Sequence, residues 1–147
     1  MELISADQVR EEVRRFWRAF SSKAKDQFET MYMPTATVFA VDGRRAELAR
    51  LTVVRRAREL MSESSSVATK LGFIEVQVLG PNVVVASYPL QFSTTRNLPN
   101  GHRYRAEIPY LRATQVFVRD SASPLRIIHE HLSSAAPVTI TELKPGK

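Results

Sequence analysis

An α+β domain, with three helices from the first half of the chain packed on the concave face of a strongly bent antiparallel sheet of about five strands, is the fold class this sequence predicts. Three observations carry the prediction. Apolar residues recur at helical spacing in separate segments of the first half, with charged residues between them. Extended segments rich in β-branched and aromatic residues then follow one another, divided by turn clusters. Two of these segments are much longer than the usual strand of about 5–6 residues, and each contains a proline, so they have to bend. A sheet that curls under helices closes around a space, and the expected shape is a cone with a cavity.

Ser5-Ala6-Asp7-Gln8 has the pattern of a capping box and starts the first helix. Val9, Val13, Phe16, Trp17 and Phe20 then form one stripe, and Arg10, Glu11, Arg14, Arg15 and Arg18 fill the remainder, so one face is buried. A second helix is expected over 26–33 through Phe28, Met31 and Tyr32, stopped by Pro34. Residues 36–41 read as a first strand ending at the turn Asp42-Gly43. Thr52 caps a third helix with Val53, Ala57, Leu60 and Met61 on one face, followed by a serine-rich stretch. Strands are expected over 71–79, 82–94, 104–119 and 125–133, with Pro89 and Pro109 as bulge positions.

The chain of 147 residues fits one domain, 1–137, with 138–147 as a loosely attached tail. The absence of cysteine excludes disulfides, thiolate chemistry and the usual structural zinc motifs. The start lacks the apolar block of a secretory signal, and no apolar run approaches the roughly 20 residues of a membrane span, so a cytoplasmic location without membrane contact is expected. A net charge of +6 arises from 21 basic and 15 acidic residues that are intermixed. Arg44, Arg45, Arg50, Arg55, Arg56 and Arg58 are interrupted by Glu47 and Glu59 and lack accompanying aromatics, so they read as a solvated face and no nucleic-acid partner is expected.

The C-terminal third adds a resemblance. Arg112-Ala113-Thr114-Gln115-Val116-Phe117-Val118-Arg119-Asp120 and then Ile127-Ile128-His129-Glu130-His131-Leu132-Ser133, leaving through small residues to Pro137, resemble the last hairpin of SnoaL-like, nuclear transport factor 2-like domains. The resemblance is closest to the association domain of calcium/calmodulin-dependent kinase II and its bacterial stand-alone relatives. With the element order it spans about residues 5–137. It implies a cone fold that hosts polyketide cyclases, steroid isomerases, dehydratases and oligomeric hubs. Isomerase-like members carry a cavity aspartate, whereas Asp7, Asp26, Asp42 and Asp120 here fall in helices or turns. Hub members carry cavity-facing arginines where this chain has Gln115 and Leu132.

His129 and His131 project from one face of a strand about 7 Å apart, a spacing that suits two metal ligands. The third ligand would have to be His102, and packing or a subunit contact is the favoured reading. Glu130 points to the opposite face. If that face is concave, Glu130 is the best general acid or base, its pKa raised by burial, with Tyr32, Tyr88 or Tyr104 as oxyanion donor. Glu75 and Glu107 are the other strand carboxylates. The competing expectation pairs Glu130 with Arg112 or Arg126 across strands. Phe16 and Phe20 are expected in the core. Trp17, Tyr32, Phe39, Gln91, Gln115, Glu130 and Leu132 are expected to line the pocket.

Tyr88, Leu90, Phe92, Val116 and Val118 make a face too apolar to expose, and a homodimer through the sheet is expected to cover it. The sequence thus reads as a cofactor-free protein that binds a small apolar or polyketide- or steroid-like ligand in the cone. Two alternatives accompany that reading. One is a cyclase-, isomerase- or dehydratase-type enzyme using Glu130 with Tyr32 or Tyr104, and the other an oligomerisation module with a vestigial cavity.

Overall fold

The computed structural model of the chain describes residues 3–39, 45–46, 53–120, 124–134 and 136–143. Its elements run α1 (Ala6–Ser21), α2 (Lys25–Thr30), β1 (Tyr32–Phe39), β2 (Arg45–Ala46), α3 (Val53–Glu63), β3 (Ser64–Leu71), β4 (Glu75–Gly80), β5 (Val83–Asn97), β6 (Arg103–Val118), β7 (Arg126–Ser134) and β8 (Thr139–Leu143). The Asp42-Gly43 turn, the Thr52 cap, and Arg44 and Arg50 of the arginine run lie outside the described residues. Arg45 is described only as part of β2.

The capping box forms as predicted. The Ser5 hydroxyl accepts from the Gln8 N–H at 3.1 Å, and the Ser5 N–H donates to Gln8 Oε1 at 2.8 Å. The apolar stripe of α1 is buried from Val9 to Phe20. The second helix is shorter than expected, because Tyr32 and Met33 already belong to β1. Pro34 therefore lies inside a strand. It is tolerated there because the pairing of β1 with β7 shifts register between Tyr32 and Thr37, so the missing N–H falls in the irregular stretch.

Three helices on a curled α+β sheet match the predicted class, but the sheet is larger than expected. Among the described residues it has eight strands, in the order β2-β1-β7-β6-β5-β3, with β4 also on β5 and β8 also on β6. β1 pairs with β7 in parallel, so the sheet is mixed; the other pairs are antiparallel. The serine-rich stretch, for which no element was expected, begins β3, held by its ladder to β5. The expected tail contributes β8, paired with β6 from Glu107 to Arg103. Both segments are polar edge strands, whose pairing comes from the neighbouring backbone and leaves little apolar pattern to read.

The bend follows one line across the sheet. On β6, Pro109 and Tyr110 together oppose Gln91, since Leu90 pairs with Leu111 and Phe92 with Ile108, which makes the expected bulge at Pro109. Pro89 keeps its register with Arg112 but faces the break between β3 and β4. The edge beside β6 is broken at the same level, between β7 and β8. Gly72 sits in the first break and donates its N–H to the Pro89 carbonyl at 2.8 Å. A Cβ built on Gly72 would lie 2.6 Å from Pro89 Cγ. Gly72→Ala is therefore expected to force the two strands apart and cost about 1–3 kcal/mol in urea denaturation. A value near zero would show that the bend relaxes freely.

The apolar sheet face needs correcting. In β5, Val84, Ala86, Tyr88 and Leu90 are buried, and their partners in β6 are Phe117, Gln115, Ala113 and Leu111. Phe92 packs on Trp17 and Phe20 of α1, so this is the helix-covered, concave side. Val116 and Val118 pair with Val85 and Val83 and lie on the convex side. Tyr88, Leu90 and Phe92 are thus covered by α1 within one chain, and the half-buried valines alone remain of the face expected to meet a second copy. The expectation failed because the pairs nearest the connecting turn match even with even, as in Phe92–Ile108, whereas beyond the extra residue at Pro109 and Tyr110 even-numbered β5 residues face odd-numbered β6 residues, as in Ala86–Gln115. The bulge sets that shift, and the alternation of either strand alone does not show which face is buried.

Candidate functional site

At the helix-covered end, five side chains from five elements form one buried chain of hydrogen bonds. Trp17 Nε1 donates to the Tyr88 hydroxyl at 2.8 Å, and Tyr88 donates to Gln115 Oε1 at 2.6 Å. Gln115 Nε2 donates to Glu130 Oε2 at 2.6 Å, and the Tyr32 hydroxyl lies 2.9 Å from Glu130 Oε1. The direction of the chain follows from its first member. An indole N–H only donates, so Tyr88 must accept from it and pass its own hydrogen to Gln115, which turns the amide N–H toward Glu130.

Sequence position explains how these groups meet. Gln115 and Glu130 are register partners on β6 and β7, and Ala86 holds β5 against Gln115. Ile127 and Glu130 both face inward because Ile128 is the extra residue between the pairs Phe117–Ile127 and Val116–His129. The same bulge sends His129 and His131 to the convex side, opposite Glu130 as the strand parity predicts. Phe16, Trp17, Phe20, Phe28 and Tyr32 pack edge to face or tilted around the chain with centroids 5.0–5.9 Å apart.

Glu130 is 1% exposed, and among the described residues its hydrogen-bond partners are Tyr32 and Gln115. The expected ion pair does not form. Arg112 is exposed at the bend and Arg126 sits opposite Val118, so neither guanidinium reaches the concave side at Gln115. Burial pushes the Glu130 carboxyl above the ordinary carboxylate range, and the hydrogen bonds from Gln115 and Tyr32 only partly offset this. Burial and the neighbouring carboxylate hold Tyr32 and Tyr88 well above the usual phenol range, so both hydroxyls keep their protons. Since Oε2 already accepts from an amide, a proton on Glu130 belongs on Oε1, facing Tyr32. Chemically, this is a shielded acid held between a phenol and a primary amide.

A groove of about 420 Å³ lies further along the concave side. Phe92, Ala106 and Ile108 form its floor, Leu60 of α3 one wall, and Ile140 of β8 another. Arg96 and Tyr104, register partners on β5 and β6, stand at its far end.

Of the residues expected in the pocket, Trp17, Tyr32, Gln115 and Glu130 converge, but as a filled core. Tyr104 lines the groove, far along β6 from Glu130, because Arg96 and not Ala86 is its partner on β5. Gln91 is exposed and lines a convex-side depression at the bend with Pro89 and Tyr110. Phe39 packs its ring on His129 and His131, again on the convex side. Leu132 is half-buried against the core opposite Ala113. Nδ1 of His129 lies 2.8 Å from Thr37 Oγ1, and His102 pairs with Glu142 on β8, so His102 does not join His129 and His131. Among the described residues no cluster of three metal-ligating side chains occurs. Arg58 pairs with Asp26 and Glu29, which docks α3 on α2. No described helix is long and apolar enough to cross a membrane.

The groove itself was not legible in advance. Its floor comes from the same alternation that buries Tyr88 and Leu90, but a wall comes from β8, whose short β-branched run Val138-Thr139-Ile140-Thr141 does not by itself place it beside β6.

No family model matches the sequence, and no curated protein matches it. Solved structures do. A Caulobacter vibrioides protein with a cystatin-like fold is similar at TM-score 0.71 and 20% identity, over 89% of each chain. A Streptomyces avermitilis protein of the NTF2-like family, provisionally described as a dehydratase, reaches 0.73 at 15% identity over 89% of this chain and 96% of its own. A Xanthomonas campestris protein, provisionally described as a calcium/calmodulin-dependent protein kinase II association domain, reaches 0.69 at 16% identity over 91% and 92%. The chain has the NTF2-like, cystatin-like α+β fold of these proteins.

Proposed function

We propose that this chain binds a small, largely apolar molecule in the groove between Leu60, Phe92, Ile108 and Ile140. The observation that carries the reading is a concave-side space of about 420 Å³, within the range of small-molecule sites, whose walls come from a helix and three strands and are mostly hydrocarbon. Three of its side chains, Leu98, Val138 and Ile140, are 40–70% exposed, which is unfavourable in water and relieved by an apolar occupant. The enzyme reading, to which the dehydratase description of the Streptomyces avermitilis protein would lend itself, needs a carboxyl group at a cavity wall. Glu130 at 1% exposure supports a structural acid instead.

The neutral fluorophore N-phenyl-1-naphthylamine tests the reading. It is expected to bind with one saturable site per chain and a blue-shifted emission. Ala106→Trp, which fills the floor, is expected to abolish binding while the near-ultraviolet dichroism of Trp17 persists. Equal binding by the folded variant would sink the groove as the site.

A further inference from the structure

We propose that the ligand of this groove carries an acidic head group, and that Arg96 and Tyr104 receive it while the apolar body lies over Phe92, Ala106 and Ile108. The inference rests on the groove being the binding site and adds the chemical class: a small monocarboxylic acid with an aliphatic or aromatic body.

The argument begins with what the groove offers besides hydrocarbon. Arg96 and Tyr104 are Cα partners on neighbouring strands, so their side chains leave the same face side by side. Both border the groove at the same end. The guanidinium carries five N–H donors and no acceptor, and one nitrogen, Nη2, meets Glu63 Oε2 at 3.0 Å. The Tyr104 hydroxyl has no hydrogen-bond partner among the described residues. The end of the groove therefore presents unspent donors in an arrangement that a planar carboxylate can meet with two oxygens.

Competing charges do not remove this preference. The Arg96–Glu63 pair is about half-exposed on both sides, with 47% and 58% of the side chains accessible, and such pairs contribute about 0–1 kcal/mol. An incoming carboxylate can use Nε and Nη1 beside Glu63, or replace it. Glu142 is the other register partner of Tyr104, and its carboxylate is engaged by His102. Glu107 is engaged by Arg105 at 2.8 Å. A cationic head group would instead be repelled by the Arg96 guanidinium, and a neutral alcohol would bring no charge to its remaining donors.

Three ligands of one chain length separate the alternatives: octanoate, octan-1-ol and octylamine, titrated at neutral pH against the bound N-phenyl-1-naphthylamine. Octanoate is expected to displace the probe about tenfold more effectively than octan-1-ol, the ratio that a charge-assisted hydrogen bond gives. In Arg96→Gln the acid-to-alcohol ratio is expected to fall to about one. Arg96→Lys keeps the charge but loses the fork and should retain only part of the ratio, and Tyr104→Phe should lower it further in either background. Thermal midpoints of the variants guard against misfolding. Equal displacement by acid and alcohol, or preference for the amine, overturns the head-group assignment and leaves the groove standing. Failure of the neutral probe to bind at all overturns the groove and this inference together.

Discussion

Glu130→Gln is expected to stabilise the protein, by an amount that grows as pH rises above the ordinary carboxyl value. Because the folded-state pKa of Glu130 is raised by burial, the fold binds its proton more tightly than the unfolded chain does. Its contribution is therefore fully present below the unfolded pKa, near 4.5, and is lost as pH rises through the folded-state pKa. The loss proceeds at up to about 1.4 kcal/mol per pH unit over that window and then stops. Glutamine reproduces the neutral acid in this setting. Its amide nitrogen takes the place of protonated Oε1 and donates to the Tyr32 oxygen, while its carbonyl oxygen still accepts from Gln115. Urea denaturation at a series of pH values checks this. Wild type and variant should agree in acid and diverge toward alkaline pH. A difference independent of pH would mean that the carboxyl is not shielded as its neighbours indicate. Glu130→Ala should behave in the opposite sense, losing about 3–5 kcal/mol, since it leaves a cavity and takes the acceptor from the buried Gln115 amide.

Trp17→Ala is expected to cost about 3–5 kcal/mol, a large share of the roughly 5–15 kcal/mol that holds a domain together. Trp17 joins α1 to the sheet in two ways. Its ring meets Phe16, Phe20 and Phe92 within 5.0–6.4 Å, and its N–H anchors the hydrogen-bond chain at Tyr88. Trp17→Phe separates the two roles, since it keeps most of the ring contact and removes the donor. It should cost about 1 kcal/mol and free Tyr88 to turn its hydroxyl. Chemical denaturation followed by far-ultraviolet dichroism measures both. If Trp17→Phe proves as damaging as Trp17→Ala, the N–H and not the ring carries the energy. If both are mild, α1 is not the lid of the core.

Glu130→Ala and Trp17→Ala act on one network, so their losses should not add. Glu130 and Trp17 do not touch, but Tyr88 and Gln115 link them, and a double variant should lose less than the sum of the single losses.

What could be read from the sequence was what nearest neighbours along the chain decide. The capping box at Ser5 and Gln8, the buried stripe of α1, the bulge at Pro109 and the opposition of Glu130 to His129 and His131 depend on spacings of a few residues, and each is present. The three-helix α+β class follows from the same local periodicities. What only the tertiary structure decided is which groups meet across long separations. Trp17 and Tyr88 lie 71 residues apart, and Tyr32 and Glu130 lie 98 apart. Docking of α1 covered the face of β5 that carries Tyr88 and Phe92, one bulge at Ile128 turned Glu130 inward, and pairing with β6 made a strand and a groove wall out of an expected tail. The physical reason is that a strand's own sequence sets only the alternation of its side chains. Partners, turns and bulges set which half of that alternation is buried.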